Sequence, residues 1–243
     1  MSGGTRPAFY ALQPGGWRDY VTLLHPPYTL WHLAYVAVGA ALAPQMDWVL
    51  LGWTTLAFAL AMGIGAHALD ELHGRPLATR IPDGILIALA AASIAGAASI
   101  GIAVAVSRTL WLLAFVAVGA FLVVAYNLEL FGGAFHGELW FAGAWGAFPV
   151  LTAYFASALT LRADAVAAGA FALLASAAQR RLSTPVRLLR RQLLSINGEV
   201  RLRDGATLPV DEKLLAGAPE AALKALAAAV VLLAAALLLA RAG

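Results

Sequence analysis

The sequence predicts an all-α, polytopic transmembrane helical bundle of about seven spans. Three observations carry that expectation. Of 243 residues, 62% are hydrophobic and only 12% are charged, against roughly 25% charged in soluble proteins. Windows of about 20 apolar residues, the length a helix needs to cross a bilayer, recur along the whole chain. The basic residues collect in alternate connections between those windows.

The windows fall at 28–44, 48–70, 84–107, 110–128, 139–161, 165–179 and 221–240. The sixth is short and extends through Arg180 and Arg181 by snorkelling, in which an apolar stem lies in lipid and the charge reaches water. Runs such as Ala90-Ala91-Ala92-Ser93-Ile94-Ala95-Gly96 bring helix backbones close, because small residues leave no side chain between them. The seven tryptophans mostly sit near span ends, where an amphipathic ring suits the headgroup layer. His25 and His32, around Pro26-Pro27-Tyr28, are read as interfacial residues at the start of the first span. Met1 to Trp17 lacks a basic segment followed by a short apolar run, so no cleaved signal is expected.

Formal charge is +3, from 16 Lys and Arg against 13 Asp and Glu. That surplus is too small for a nucleic-acid partner, and its placement is more informative. Arg6, Arg18, Arg75, Arg80 and the group from Arg180 to Lys213 share one side; Arg108, Arg162 and Arg241 hold the other. The positive-inside rule then puts the amino terminus in the cytoplasm of a multi-pass protein, expected in a cell inner membrane. With no cysteine, disulfides, thiolate catalysis and zinc–thiolate sites are excluded.

Three regions follow: a bundle of spans one to six over 1–183, a basic cap over 184–218, and a seventh membrane helix over 219–243. Within the cap, Leu188, Leu189, Leu193 and Leu194 alternate with Arg187, Arg190 and Arg191 at helical spacing, which suits a helix on an anionic leaflet. Val200 and Leu202 then alternate with Arg201 and Arg203 up to Asp204-Gly205, the signal for a hairpin ending near Val210.

Ionisable groups inside a bilayer cost free energy unless they face a cavity or a partner, so they mark candidate sites. The first cluster closes span two and contains His67, Asp70, Glu71, His73 and Arg75. Spacings of three and four let His67, Asp70, Glu71 and His73 share a helix face, a pattern that suits a metal or a proton relay. The second cluster joins spans four and five and contains Tyr126, Asn127, Glu129, His136 and Glu138. Its glycines, Gly132, Gly133 and Gly137, allow the backbone to fold close to a ligand. Both clusters lie on the same expected face and are candidates to line one cavity.

The order of features resembles the UbiA superfamily of intramembrane prenyltransferases. The likeness rests on His25-Pro26-Pro27-Tyr28-Thr29-Leu30 at the entry to span one, the acidic end of span two, and the stretch from Tyr126 to Tyr154. That stretch includes Gly137-Glu138-Leu139 and Gly146-Ala147-Phe148-Pro149-Val150; Leu182-Ser183-Thr184-Pro185-Val186 follows later. The resemblance covers roughly residues 20–190 and implies a helical bundle around a cavity open to the cytoplasm and to lipid. It further implies an isoprenyl diphosphate substrate held through carboxylate-bound Mg. Of the family's first acidic motif, this chain keeps one acid of three, with either Asp70 or Glu71 at the middle position. No Asp or Glu lies between Asp164 and Glu199, so the second motif is absent. The family typically has two further spans, whose absence leaves one cavity wall open or closed by another subunit, in a homo-oligomer or with a partner.

Three functional readings stay open on the residues alone. The first is a diverged transferase for an isoprenoid or related membrane lipid. There Asp70, Glu71, His67 and Tyr126 form the reacting centre, Asp70 and Glu71 hold one metal, and Arg75, Arg180 and Arg181 grip phosphate in place of the missing acids. Asn127 and Glu138, with Tyr126, would orient the acceptor. The second is an intramembrane lipid enzyme using His67, Glu71, His73 and His136 for a transition metal or proton transfer. The third is a non-catalytic lipid-binding or structural subunit.

Overall fold

The computed structural model describes residues 6–243; residues 1–5, part of the amino-terminal stretch expected to lack a cleaved signal, lie outside the described residues. Ala and Leu dominate the apolar windows, and both lose little side-chain freedom in a helix. The chain accordingly forms α1 (Trp17–Leu23), α2 (Pro26–Leu42), α3 (Trp48–Leu72), α4 (Asp83–Arg108), α5 (Leu112–Asn127), α6 (Glu138–Ala158), α7 (Ala163–Arg191) and α8 (Glu212–Ala242). Four of these, α3, α4, α6 and α8, are long and apolar enough to cross a membrane. The other windows are helical too: α2 has 17 residues, α5 has 16, and α7 has 29 with arginines in its last turns. The fold is therefore nearly all-α, as expected for an integral membrane protein.

Helix ends follow local capping chemistry. Asp47 accepts from the Leu50 amide at 2.9 Å and Asp211 from the Leu214 amide at 2.7 Å, each satisfying an amide with no partner inside its helix. The Asp211 cap starts α8 well before residue 219. At the other boundary α7 runs unbroken past residue 184 to Arg191, so the first part of the expected amphipathic cap helix is the end of α7 itself, while Leu193 and Leu194 lie beyond the helix. Pro185 inside it removes one amide bond without ending the helix. Between α7 and α8 lies an antiparallel hairpin of β1 (Glu199–Arg201) and β2 (Thr207–Pro209), with Val200 opposite Leu208. Asp204 accepts from the Ala206 amide at 3.0 Å and Gly205 adopts φ 88°, the turn its sequence encodes.

α2 lies at the centre, between α6 and α8, while α3 packs on α4 and α7 packs on the middle of α6 and on α8. Trp31 and Tyr35 of α2 are fully buried, and the Trp31 indole donates to the Tyr35 hydroxyl at 2.5 Å. Two glycines set the closest approaches. A Cβ on Gly39 would strike the Val150 carbonyl, and one on Gly146 the Ala172 carbonyl. Outward faces carry exposed Ile85, Ile87, Ile102 and Val106 on α4 and Leu232 and Leu239 on α8; lipid tails accept such a surface, water does not. At the arginine-poor end Arg241 donates to the Ala41 and Ala43 carbonyls, both at 2.7 Å, and closes the end of α2.

Gly146→Ala is expected to lower stability by about 1–3 kcal/mol, because its new Cβ meets backbone that cannot rotate away. Gly143→Ala, which meets open space, should be neutral or slightly stabilising. Thermal unfolding of both variants in detergent checks this; equal midpoints would contradict the packing described.

Candidate functional site

At the arginine-rich end, α2, α3, α5, α6 and α7 surround a cavity of about 460 Å³, with the segment Pro7–Tyr10 along its edge. That segment is tied down through polar contacts. Buried Asp19 on α1 accepts from the Gly15 amide at 2.8 Å and the Arg80 amide at 2.9 Å. Thr22 accepts from the Leu12 amide at 3.0 Å, and the Arg191 guanidinium donates to the Pro7 carbonyl at 3.2 Å.

Positive charge enters from one stripe of α7. Arg180, Arg187 and Arg191 all line the cavity, and spacings of seven and four return side chains to the same helix face. Arg180 donates to the Tyr126 hydroxyl and lies 5.4 Å from the Phe141 ring centre, a cation–π arrangement. The lining residues include one carboxylate, Asp70 at the end of α3.

Histidines form the opposite wall, and two of them depend on widened, π-type turns. Such turns lie at Ala59–Ala66 in α3 and Ala142–Ala147 in α6. His67 Nδ1 bonds the Gly63 carbonyl at 3.0 Å, and His32 Nδ1 the Trp145 carbonyl at 2.9 Å. A carbonyl only accepts, so each Nδ1 carries a hydrogen and, in the neutral ring, Nε2 is left as an acceptor. The Trp145 carbonyl is free for this bond because the residue four positions on is Pro149, which has no N–H. His25 stacks on His67, with centroids 4.1 Å apart and planes 9° from parallel, and its Nδ1 lies 2.9 Å from the Tyr10 hydroxyl. Desolvation first, then the adjacent His67 and the facing Arg191, Arg187 and His32, hold the His25 imidazole well below its usual range, so it is neutral. Burial and the nearby Tyr28 raise the Tyr10 phenol, which stays protonated. His25 itself sits at φ 46°, a left-handed conformation that costs a non-glycine residue of order 1–3 kcal/mol and is often stored at ligand sites.

The two sequence clusters do meet, but not every member takes part. His67, Asp70, Tyr126, Asn127, His136 and Arg180 line the cavity. Glu71 does not: it is fully buried, and its carboxylate accepts from the Leu77 amide at 3.0 Å and the Thr79 amide at 2.8 Å, holding the loop after α3. Arg75 is also structural, donating to the Ile81 carbonyl at 2.6 Å and pairing with Asp83. Arg181 points outward to Glu138 at 2.7 Å, which removes both from the site. His73 is half-exposed beside Glu129, 3.9 Å away, and Glu129 also approaches His136 at 3.8 Å. Gly132 and Gly133, at φ 67° and 78°, serve the turn between α5 and α6.

This placement bears on the metals expected above. The lining offers one carboxylate, Asp70, where an octahedral oxygen site for Mg needs several hard oxygen ligands. The set His67, Glu71, His73 and His136 is divided between cavity, loop and surface. Among the described residues no three His, Asp or Glu side chains group closely enough to hold a metal ion. The residues present do not fit the resemblance's Mg.

Tyr10 was overlooked in the sequence, while His25 and His32, read as interfacial, and Arg187 and Arg191, read as part of a surface helix, also line the cavity. The seven-residue step from Arg180 to Arg187 and the four to Arg191 were visible signals, as was Pro149 four after Trp145. A second, apolar cavity of about 120 Å³ lies between α3, α4, α5 and α6 and shares Trp145 with the polar one. No family model matches this chain, and no curated protein or solved structure shows significant similarity to it.

Exchanging Glu71 for Gln is expected to lower stability by roughly 1–3 kcal/mol, since one loop amide then faces an NH2 group in place of an acceptor. Asp70→Asn, at a residue that faces the cavity, should leave the thermal midpoint within about 0.5 kcal/mol. Equal destabilisation by the two changes would contradict the separation of roles.

Proposed function

We propose that the chain is a diverged, UbiA-like membrane transferase acting on an isoprenyl diphosphate or a related anionic lipid. In this reading all seven windows cross the membrane, with the amino terminus and the arginine-rich cavity on the cytoplasmic side. The observation that carries it is the stripe Arg180, Arg187 and Arg191 facing a single carboxylate in one cavity of an otherwise apolar bundle. The adjoining apolar cavity supports it, since a lipid needs room for both ends.

The chemistry follows from charge development. As the bond between the isoprenyl carbon and the diphosphate oxygen breaks, the electron pair leaves with the diphosphate. Guanidinium N–H groups aimed at that charge stabilise it more in the transition state than in the ground state. The acceptor then bonds to the carbon and releases its proton to Nε2 of His67 or His32, the acceptor nitrogens that the backbone carbonyls fix. Tyr126 and Asn127 orient the reactants, and Arg180 is held ready by Tyr126.

A non-catalytic lipid-binding role is favoured by one specific observation, the absence of any acid on α7 after Asp164. One experiment separates the two. Protein in nanodiscs is given farnesyl diphosphate with a membrane lipid extract as acceptor, and pyrophosphate release is followed. Turnover should fall by about 100-fold in Arg180→Gln, the size of effect seen when an oxyanion donor is removed. Farnesyl diphosphate that binds but releases no pyrophosphate would establish the binding role instead.

A further inference from the structure

The arginines of α7 divide into two sets. Arg181 pairs with Glu138, and Arg190 with Glu212 at 3.3 Å and with Glu220. Elsewhere Arg75 pairs with Asp83 and Arg108 approaches Asp47 at 3.9 Å. Among the described residues Arg180, Arg187 and Arg191 have no carboxylate within ion-pair distance, although they share one helix face and one cavity. Three guanidinium groups against Asp70 leave a surplus of two positive charges in a partly desolvated space. Like charges so confined repel one another unless an anion joins them.

A buried polar atom points the same way. His25 Nε2 is buried without a hydrogen-bond partner, on a residue that lines this cavity. Buried polar groups are normally satisfied. In the tautomer whose Nδ1 accepts from the Tyr10 hydroxyl, Nε2 carries the ring hydrogen and can donate to an anion.

We infer that this cavity binds a phosphate or diphosphate group through arginine alone, without a divalent cation. The inference rests on the anionic-lipid reading above and specifies how that site holds its ligand. A dication entering beside three guanidinium groups would find one carboxylate to bind and a surplus of two positive charges to repel it. Guanidinium groups bind phosphate oxygens in bidentate fashion and carry their charge at every physiological pH. The surplus matches a dianion, and the site therefore selects phosphate monoesters and diphosphates over neutral headgroups.

Calorimetric titration of the full chain in detergent tests this with two probes, inorganic pyrophosphate and geranyl diphosphate, each in EDTA and in excess Mg. Pyrophosphate affinity in EDTA should lie within about threefold of that in Mg, or exceed it, because Mg competes for the free anion. The double variant Arg187→Gln, Arg191→Gln should lose about 100-fold, on the order of 1.4 kcal/mol for each tenfold step, and Arg181→Gln should lose nothing. Arg187→Gln alone, at an exposed residue, should lose about tenfold and decides the matter if the double variant unfolds. Binding only in Mg, or binding unchanged in Arg187→Gln, overturns the inference. If pyrophosphate binds without a cation but geranyl diphosphate binds no more tightly, the arginine site stands as one for free anions and the lipid reading fails.

Discussion

The widened turn of α6 over Ala142–Ala147 is the constraint on which the other parts depend. It carries Gly146, whose missing side chain lets α7 approach to backbone contact, and that approach brings the arginine stripe over the cavity. It also carries Trp145, whose carbonyl holds His32 and whose ring stands between the polar and apolar cavities. Pro149 one turn later withholds an amide, so the carbonyl is available to an imidazole. In a low-dielectric bundle an unpaired carbonyl is costly; here that cost is offset by fixing a side chain at the site.

The same economy of polar groups explains which charged residues belong to the cavity. Glu71 and Asp19 satisfy backbone amides, Arg75 a backbone carbonyl and Asp83, and Arg181 the Glu138 carboxylate, so their chemistry is occupied by the fold. Arg180, Arg187 and Arg191 bond to neutral groups at most and have no carboxylate within ion-pair distance among the described residues, and His25 Nε2 has no partner. Three like charges without a carboxylate partner, beside one buried unpaired imidazole nitrogen, give a polar ligand something to satisfy.

Much of the fold was legible in the sequence, because bilayer length and apolarity are local properties. The helical windows, the hairpin at Asp204-Gly205 and the convergence of His67, Asp70, Tyr126 and His136 were all readable from spacing and composition. The continuity of α7 into the expected cap was not, since the change from apolar to arginine-rich sequence near residue 184 marks where the chain leaves the apolar layer and not where its helix ends. Glu71 was misread because two acids in sequence, Asp70 and Glu71, point about 100° apart on a helix; which one faces the cavity depends on how α3 packs. His25 and His32 were read as interfacial for want of their partners, Tyr10, His67 and the Trp145 carbonyl, which are distant in sequence.

The central claim is that the arginine-rich end of this bundle holds a water-accessible cavity that binds a phosphate-bearing ligand. The chain has no cysteine, so Thr184→Cys, at a residue lining the cavity between Arg180 and Arg187, introduces a single reporter. Its rate of reaction with a charged, membrane-impermeant thiol reagent, measured in nanodiscs with and without pyrophosphate, is the most direct measurement. The account predicts rapid labelling that slows about tenfold, roughly the ratio of free to occupied sites at ten times the dissociation constant, as pyrophosphate fills the site. A thiol that the reagent cannot reach, or one labelled at the same rate at saturating pyrophosphate, would contradict it.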